Sequence, residues 1–161
     1  MTVYDIFPSP IGAITASTDG VAITALHVEG DRYFTVVPGE WVRDGSNAVL
    51  QQLQAELGEY FAGTRARFDV PVAFEGTEFQ RSVWSALQSI GPSETTSYGA
   101  LAAKIGRPKA VRAVGTAVGR NPLCIVVPCH RVLASDGTLG GYVAGLDRKR
   151  HLLTLEGALA A

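Results

Sequence analysis

Ser97-Tyr98-Gly99-Ala100-Leu101-Ala102-Ala103-Lys104-Ile105-Gly106-Arg107-Pro108-Lys109-Ala110-Val111-Arg112-Ala113-Val114-Gly115-Thr116-Ala117-Val118-Gly119 is the stretch from which the architecture of this chain is read. Ser97 is a good helix N-cap, and Leu101, Ala102 and Ile105 follow at the spacing of one buried helical face. Gly106 accepts the left-handed conformation that ends a helix. Pro108 suits the first turn of the next one, which is predicted over Pro108–Gly119. Two short helices joined by a tight, glycine-containing turn have the form of a helix-turn-helix.

Upstream, Phe79, Val83, Trp84 and Leu87 form the apolar stripe of a helix near Glu78–Ile90, and a loop rich in Pro, Ser and Thr runs from Gly91 to Thr96. Composition and charge both change at Glu75-Gly76-Thr77, which places a boundary between residues 1–75 and 76–161. The first part is predicted β-rich over residues 3–37, with turns at Pro8-Ser9-Pro10 and a hairpin at Asp19-Gly20. A helix over 46–62 follows, carrying Val49, Leu50, Leu53, Leu57, Tyr60 and Phe61 at helical spacing. Ser46 or Asn47 caps it, Gly63 ends it, and a strand is predicted around Phe68–Phe74. Downstream of Gly119 come an extended run at Cys124–Val127, a cysteine-bearing segment, a glycine-rich loop and a last helix near Asp147–Leu155.

The 161 residues are 47% hydrophobic and 18% charged, enough to bury a core. No apolar run approaches the roughly 20 residues that span a bilayer. Met1-Thr2-Val3-Tyr4-Asp5 lacks the basic start of a signal peptide, so a cytoplasmic protein is expected. If the two cysteines, Cys124 and Cys129, share one strand, their odd offset puts them on opposite faces and a disulfide is not expected. His27, His130 and His151 are scattered, no Cys/His cluster has zinc spacing, and no metal is expected. The net charge of −1 hides an asymmetry: residues 1–75 carry four basic and ten acidic groups, residues 76–161 ten basic and five acidic. A positive half can be steered toward a polyanion; a two-signed surface with no partner is the alternative.

Val126-Val127-Pro128-Cys129-His130-Arg131-Val132 carries the chemistry. Pro128 fixes its own φ and biases Val127 toward extended geometry. A thiol beside two cationic side chain types has its pKa drawn below about 8.5, which makes Cys129 a nucleophile candidate. The helix at 108–119 offers little for reading base edges: Ala110, Ala113, Gly115, Ala117 and Gly119 are small, and Arg112 is the one long polar group at its centre. A slim helix suits close approach to a widened minor groove. The alternative is that its Ala and Gly residues serve helix packing.

The chain resembles the O6-alkylguanine-DNA alkyltransferases. The matching residues are Phe79-Gln80, Val83-Trp84, Ser97-Tyr98-Gly99 with Leu101-Ala102, Arg112-Ala113-Val114-Gly115, Asn121-Pro122, Pro128-Cys129-His130-Arg131-Val132, Gly141-Tyr142, Gly145-Leu146, Lys149, Leu152-Leu153 and Glu156-Gly157. Ser9-Pro10-Ile11-Gly12 is similar to the family's N-terminal start. The resemblance implies an α+β fold: an N-terminal α/β domain with an antiparallel sheet, and a C-terminal winged-helix-like domain carrying the cysteine. It implies one-step transfer of an alkyl group from guanine O6 in double-stranded DNA to Cys129, without cofactor or turnover, with O4-alkylthymine as a further candidate substrate. A monomer is expected, with cooperative binding to DNA left open.

By the same resemblance, His130 takes the thiol proton through a bridging water, Glu156 supports the imidazolium, Tyr98 donates to the departing guanine and Asn121 braces the cysteine segment. Arg112 enters the duplex in place of the flipped nucleotide. Ala110, Ala113, Gly115, Thr95 and Ser97 are expected along the DNA, and Tyr142, Val143, Ala144 and Val132 around the base pocket. Arg131 is expected at an interface or on backbone rather than on substrate, and Cys124 in strand core. Val143-Ala144 stand where the family has a small residue before glycine, so methyl adducts are expected to react well and benzyl-sized ones poorly. Val111 adds bulk beside Arg112 where small residues are common. The N-terminal half has no cysteine set for a metal-bound phosphotriester repair site. Three rivals remain: a lesion binder without chemistry, which Cys129 opposes; a Cys-His hydrolase, which leaves Arg112 and the charge split unexplained; and a DNA-binding regulator, which the lack of base-reading side chains opposes.

Overall fold

The computed structural model describes residues 1–160. β1 (Val3–Phe7), β2 (Ile14–Thr18) and β3 (Ile23–Val28) form an antiparallel meander, and β4 (Val42–Arg43) joins the free edge of β1 in parallel. The hairpin at Asp19-Gly20 has a local cause. The Asp19 carboxylate accepts from Val21 N and Ala22 N at 2.9 Å each, and Gly20 takes φ +98°. The β-rich region stops at Val28 rather than at residue 37, because Asp31 folds the chain into a turn: its carboxylate accepts from Tyr33 N and pairs with His27 Nδ1, each at 2.8 Å.

α1 (Ala48–Phe61) packs against this sheet. Asn47 rather than Ser46 is the cap, its Oδ1 accepting from Val49 N at 2.9 Å and Leu50 N at 3.2 Å. Leu50, Leu53 and Leu57 are buried, each contributing about 1.5–3 kcal/mol of transfer free energy. The strand expected at Phe68–Phe74 is not formed. Only Val72 bridges Ile23, since Pro71 has no N–H to extend a ladder. The preceding amides of Asp69 and Val70 donate instead to the buried Glu56 carboxylate at 2.8 and 3.1 Å.

In the second half, α2 (Glu78–Leu87) opens with a reciprocal capping box between Thr77 and Gln80 and ends before Ile90. β5 (Thr96–Ser97) leads into α3 (Tyr98–Lys104), where Ser97 Oγ accepts from Ala100 N at 3.0 Å. Gly106 takes φ +78° as the helix ends. α4 (Val111–Gly119) begins later than Pro108. Pro108 sits instead in a turn closed by Ala110 N donating to Arg107 O at 2.9 Å, a place its fixed φ suits equally well. The helices α2, α3 and α4 pack on one another.

The extended run expected at Cys124–Val127 is a pair of turns. Val126 N donates to Cys124 O at 2.8 Å, Val127 N to Leu123 O at 2.9 Å, and Ile125 has φ +71°. A single 3₁₀ turn, Cys129–Arg131, follows, then β6 (Val132–Leu133) paired in parallel with β5, and α5 (Leu146–Leu155). One continuous core joins the sheet to these helices. The edge strand β3 anchors the turn segment directly: Leu26 N donates to Pro122 O at 2.8 Å and Cys124 N to Leu26 O at 3.1 Å. Among the described residues no helix is long and apolar enough to cross a membrane.

Candidate active site

Cys129 opens the 3₁₀ turn, its amide donating to Val127 O at 2.8 Å. Its side chain is buried, yet it lines a cavity of about 200 Å³ together with Tyr98, Gly115, Gly119, Tyr142 and Val143. Arg32 and Tyr33 of the loop after β3 close the same cavity.

The segment from Cys124 to Val127 is turned rather than a strand, so the two cysteines do not share a strand, and both are buried and free. The Cys124 thiol nearby lowers the Cys129 pKa against the opposing effect of burial, helped by the Asn121 side chain and the Lys149 charge. The Cys129 thiol, with burial, raises Cys124 well above a normal thiol. Cys129 is therefore the sulfur that ionises, and Cys124 the one that keeps its proton.

Asn121 follows α4 and is buried. Its Nδ2 donates to Val127 O at 2.8 Å, and its Oδ1 accepts from Leu123 N at 3.0 Å. Lys149 is fully buried; its Nζ donates to the carbonyls of Val132 at 2.6 Å and Gly141 at 3.0 Å, and also to Leu139 O. Burial lowers its pKa to about 8, although the Cys129 charge acts the other way. The cation that favours the thiolate is thus Lys149, from α5, rather than the neighbouring Arg131.

His130 and Arg131 both turn toward Glu156, the C-cap of α5. His130 Nε2 lies 2.8 Å from Glu156 Oε2; Arg131 donates through Nε to Oε1 at 2.8 Å and through Nη2 to Oε2 at 2.9 Å. Arg131 Nη1 holds Ile90 O, in keeping with the expected backbone role. Tyr60 of α1 donates to Glu156 Oε2 at 2.6 Å. Burial alone would raise the Glu156 pKa, but the hydrogen bonds from His130 and Arg131 hold it at about 2. Burial lowers the His130 pKa despite Glu156, so its imidazole is neutral at pH 7. With Nε2–H on the carboxylate, the lone pair of Nδ1 is left buried and without a partner among the described residues.

Tyr98 starts α3 with its ring beside the cavity: a Cβ at Gly140 would stand 3.4 Å from its hydroxyl, and one at Gly115 would stand 3.7 Å from its ring. Burial, then the Cys129 charge, raises the phenol's pKa, so it stays a donor. On α4, Val114, Ala117 and Val118 face the core, and Trp84 Nε1 donates to Ala117 O at 2.8 Å. Arg112 and Ala113 are exposed on the other face, and a Cβ at Gly119 would meet nothing within 4 Å. Packing therefore accounts for Ala117 but not for Ala113 or Gly119. Ala110 is half-buried at the N-cap, and Thr95 is exposed ahead of β5. Tyr142 and Val143 line the cavity. Ala144 and Val132 do not: Ala144 borders a separate cleft beside Ile11 and Arg148, and Val132 is fully buried in β6.

Reading from sequence missed Cys124, Lys149, Tyr60, Arg32 and Tyr33. Lys149 left a signal, since it shares a helical face with Leu152 and Leu153, which are both buried. Tyr60 was legible only as part of the α1 stripe.

A two-part α+β fold with a thiol of lowered pKa on a cavity wall defines a protein built around one cysteine nucleophile. The chain belongs to the 6-O-methylguanine DNA methyltransferase family: residues 2–74 match its ribonuclease-like domain and residues 78–158 its DNA binding domain. The methylated-DNA–protein-cysteine methyltransferase of Methanosarcina acetivorans is 46% identical over 155 residues, covering 96% of this chain and 98% of its own. That of Mycolicibacterium paratuberculosis is 47% identical over 158 residues, covering 97% and 93%. The crystal structure of Mycobacterium tuberculosis OGT in complex with DNA matches with a TM-score of 0.90 at 42% identity, over 96% of this chain and 92% of that one.

Proposed function

We propose that this protein repairs O6-alkylguanine in double-stranded DNA by moving the alkyl group to Cys129, once per molecule. The observation that carries this reading is the ionisable Cys129 thiol on the cavity wall, next to a neutral His130 whose Nδ1 is unpartnered among the described residues. Consecutive residues of a 3₁₀ turn diverge by about 120°, so a bridging water carries the thiol proton to Nδ1. Glu156 then stabilises the imidazolium. The thiolate attacks the alkyl carbon, the carbon–O6 bond breaks, and the guanine leaves with the electron pair while Tyr98 donates a hydrogen bond to it. The product is a thioether, a poor leaving group, which ends the reaction. O4-alkylthymine offers the same bond to the same nucleophile.

A base inside the stack cannot reach this cavity. Extrusion costs a few kcal/mol, and Arg112, one turn before the cavity-lining Thr116, fills the vacated space. Ala110, Ala113 and Gly115 keep α4 slim for the minor groove, with Thr95 and Ser97 on the flanking backbone. Asn121 ties the end of α4 to the cysteine segment. The excess of basic residues in 76–161 supports the DNA partner, as does the relative crystallised with DNA.

The test is incubation with a duplex carrying one O6-methylguanine, followed by intact mass and peptide mapping. One methyl on Cys129, with repair stopping at one lesion per protein, is expected. An unmodified protein after complete mixing overturns the reading.

A further inference from the structure

We propose that Tyr33, carried by a turn of the N-terminal half, sets the size of O6 adduct that can reach Cys129. The turn Asp31–Phe34 follows β3, and its Arg32 and Tyr33 line the cavity that Cys129 also lines. On one side Arg32 N donates to Val143 O at 3.4 Å, in the loop that carries Tyr142. On the other, the guanidinium of Arg120, just past the end of α4, lies over the Tyr33 ring at 3.8 Å from its centroid. The turn thus bridges two walls of one cavity, and each contact joins the two halves of the chain. Arg120 enters none of the ion pairs among the described residues, so its charge is available to the ring.

The backbone of the turn is built to hold that place. Asp31 is buried; its N donates to Val28 O at 3.0 Å, and its carboxylate accepts from Tyr33 N and pairs with His27 Nδ1, each at 2.8 Å. The His27 ring stacks on Phe34 with centroids 4.1 Å apart and planes 3° from parallel. The Tyr33 side chain is held differently. It is 49% exposed and rests on the surface cations Arg120 and, at 5.7 Å, Arg32. The other walls are buried: Tyr142 and Val143 are 7% exposed and Cys129 3%, while Gly115 and Gly119 present the backbone of α4. A methyl adduct adds one carbon to guanine. A benzyl adduct adds a further ring, and the wall that gives way to it is the one held by the weakest contacts. That wall is Tyr33, because an exposed cation–π contact shifts an equilibrium only about two- to fivefold, far less than displacing a buried side chain. Val143 restricts the adduct from the buried side and Tyr33 from the open side. This role rests on Cys129 being the alkyl acceptor.

The experiment measures single-turnover rates on the free bases O6-methylguanine and O6-benzylguanine, so that DNA binding does not enter. Tyr33→Ala is expected to raise the benzyl-to-methyl rate ratio at least about tenfold, the effect of carbon removed from a hydrophobic pocket. Tyr33→Phe keeps the ring and its cation contact and is expected to keep the wild-type ratio. Arg120→Ala is expected to raise the ratio about two- to fivefold, and Arg120→Lys, which retains the cation, to bring it back. Val36 is 78% exposed on the same loop and does not line the cavity, so Val36→Ala controls for general loosening and is expected to leave the ratio alone. A Tyr33→Ala ratio within about twofold of wild type overturns the proposal, the lower edge of one cation–π contact; should that variant not fold, an unmoved ratio in Arg120→Ala does the same. An equal rise in Val36→Ala also overturns it. Wild type assayed in parallel on O6-methylguanine duplex tests the alkyl acceptor itself. Failure there removes the function and the role of Tyr33 together, whereas methyl transfer with an unmoved ratio removes the role of Tyr33 alone.

Discussion

The hydroxyl of Tyr60 donates to Glu156 Oε2 at 2.6 Å, joining α1 of the N-terminal half to the C-cap of α5 across 96 positions of sequence. The acceptor is the carboxylate that also receives His130 and Arg131, so a residue far from the cysteine in sequence helps to hold the Glu156 network. Removing one hydrogen bond to a charged group costs about 1.5–3 kcal/mol. Tyr60→Phe is expected to lose that much in urea denaturation and to slow methyl transfer only modestly. A loss below 0.5 kcal/mol, roughly the lower edge for any net hydrogen bond, would show that the contact is not maintained in solution.

Acid stability follows from the same network. Glu156 titrates at about 2 when folded and near its ordinary 4.5 when unfolded, so its contribution is fully present above pH 4.5 and is lost as pH falls toward 2. His130 is held neutral by burial, with its pKa below the ordinary 6.5, so protonation of the unfolded chain begins to cost stability as pH falls below 6.5. The two act in the same direction. Denaturation midpoints measured from pH 7 to pH 3 are expected to fall throughout. In Glu156→Gln the fall below pH 4.5 should be shallower, the lowered Asp19, Asp44 and Asp136 remaining, and stability at pH 7 should be about 3–5 kcal/mol lower because Arg131 loses its buried partner.

Lys149 makes the thiolate sensitive to a charge on α5. Lys149→Met removes the cation and its three carbonyl contacts. The pH at which Cys129 ionises, followed by the ultraviolet absorbance of the thiolate, is expected to rise, and methyl transfer at pH 7 to fall about tenfold for each unit of that rise. An unchanged ionisation midpoint in a folded variant would remove Lys149 from the site.

Arg112 is exposed and lies outside the Glu156 network, so its replacement tests the DNA step separately from folding. Arg112→Ala is expected to leave the thermal midpoint within a degree or so. Repair of O6-methylguanine in duplex DNA should fall roughly thirtyfold, the equivalent of about 2 kcal/mol of extrusion cost left without compensation. The free base O6-methylguanine, which needs no flipping, should react at an unchanged rate.

Val143 and Ala144 separate in their expected effects because only Val143 lines the cavity. Methyl adducts are expected to react well and benzyl adducts poorly. Val143→Gly, which removes three carbons from the cavity wall, should narrow the methyl-to-benzyl rate ratio by at least about tenfold, whereas Ala144→Gly should not. Equal methyl and benzyl rates in wild type would dismiss the restriction.

Local signals were legible where their physics is local. Asn47 and Ser97 cap, Asp19-Gly20 turns, and Leu50, Leu53 and Leu57 repeat at helical spacing, because each depends on partners a few residues away. The misreadings fall where backbone partners are distant or alternatives are nearly equal. The stretch at 68–74 lost its ladder to Glu56 and Pro71, and Pro108 served a turn as readily as a helix start.

By itself, the sequence determined most of the helices and the presence of a cysteine flanked by Pro128, His130 and Arg131. Only the tertiary structure decided which groups surround that cysteine. Neighbours in sequence, His130 and Arg131, turn away to Glu156, while Cys124 and Lys149 draw down the pKa of its thiol. The physical reason is that a thiol's ionisation depends on distance and desolvation, and both are set by the turns at 123–127 and the packing of α5 rather than by adjacency along the chain.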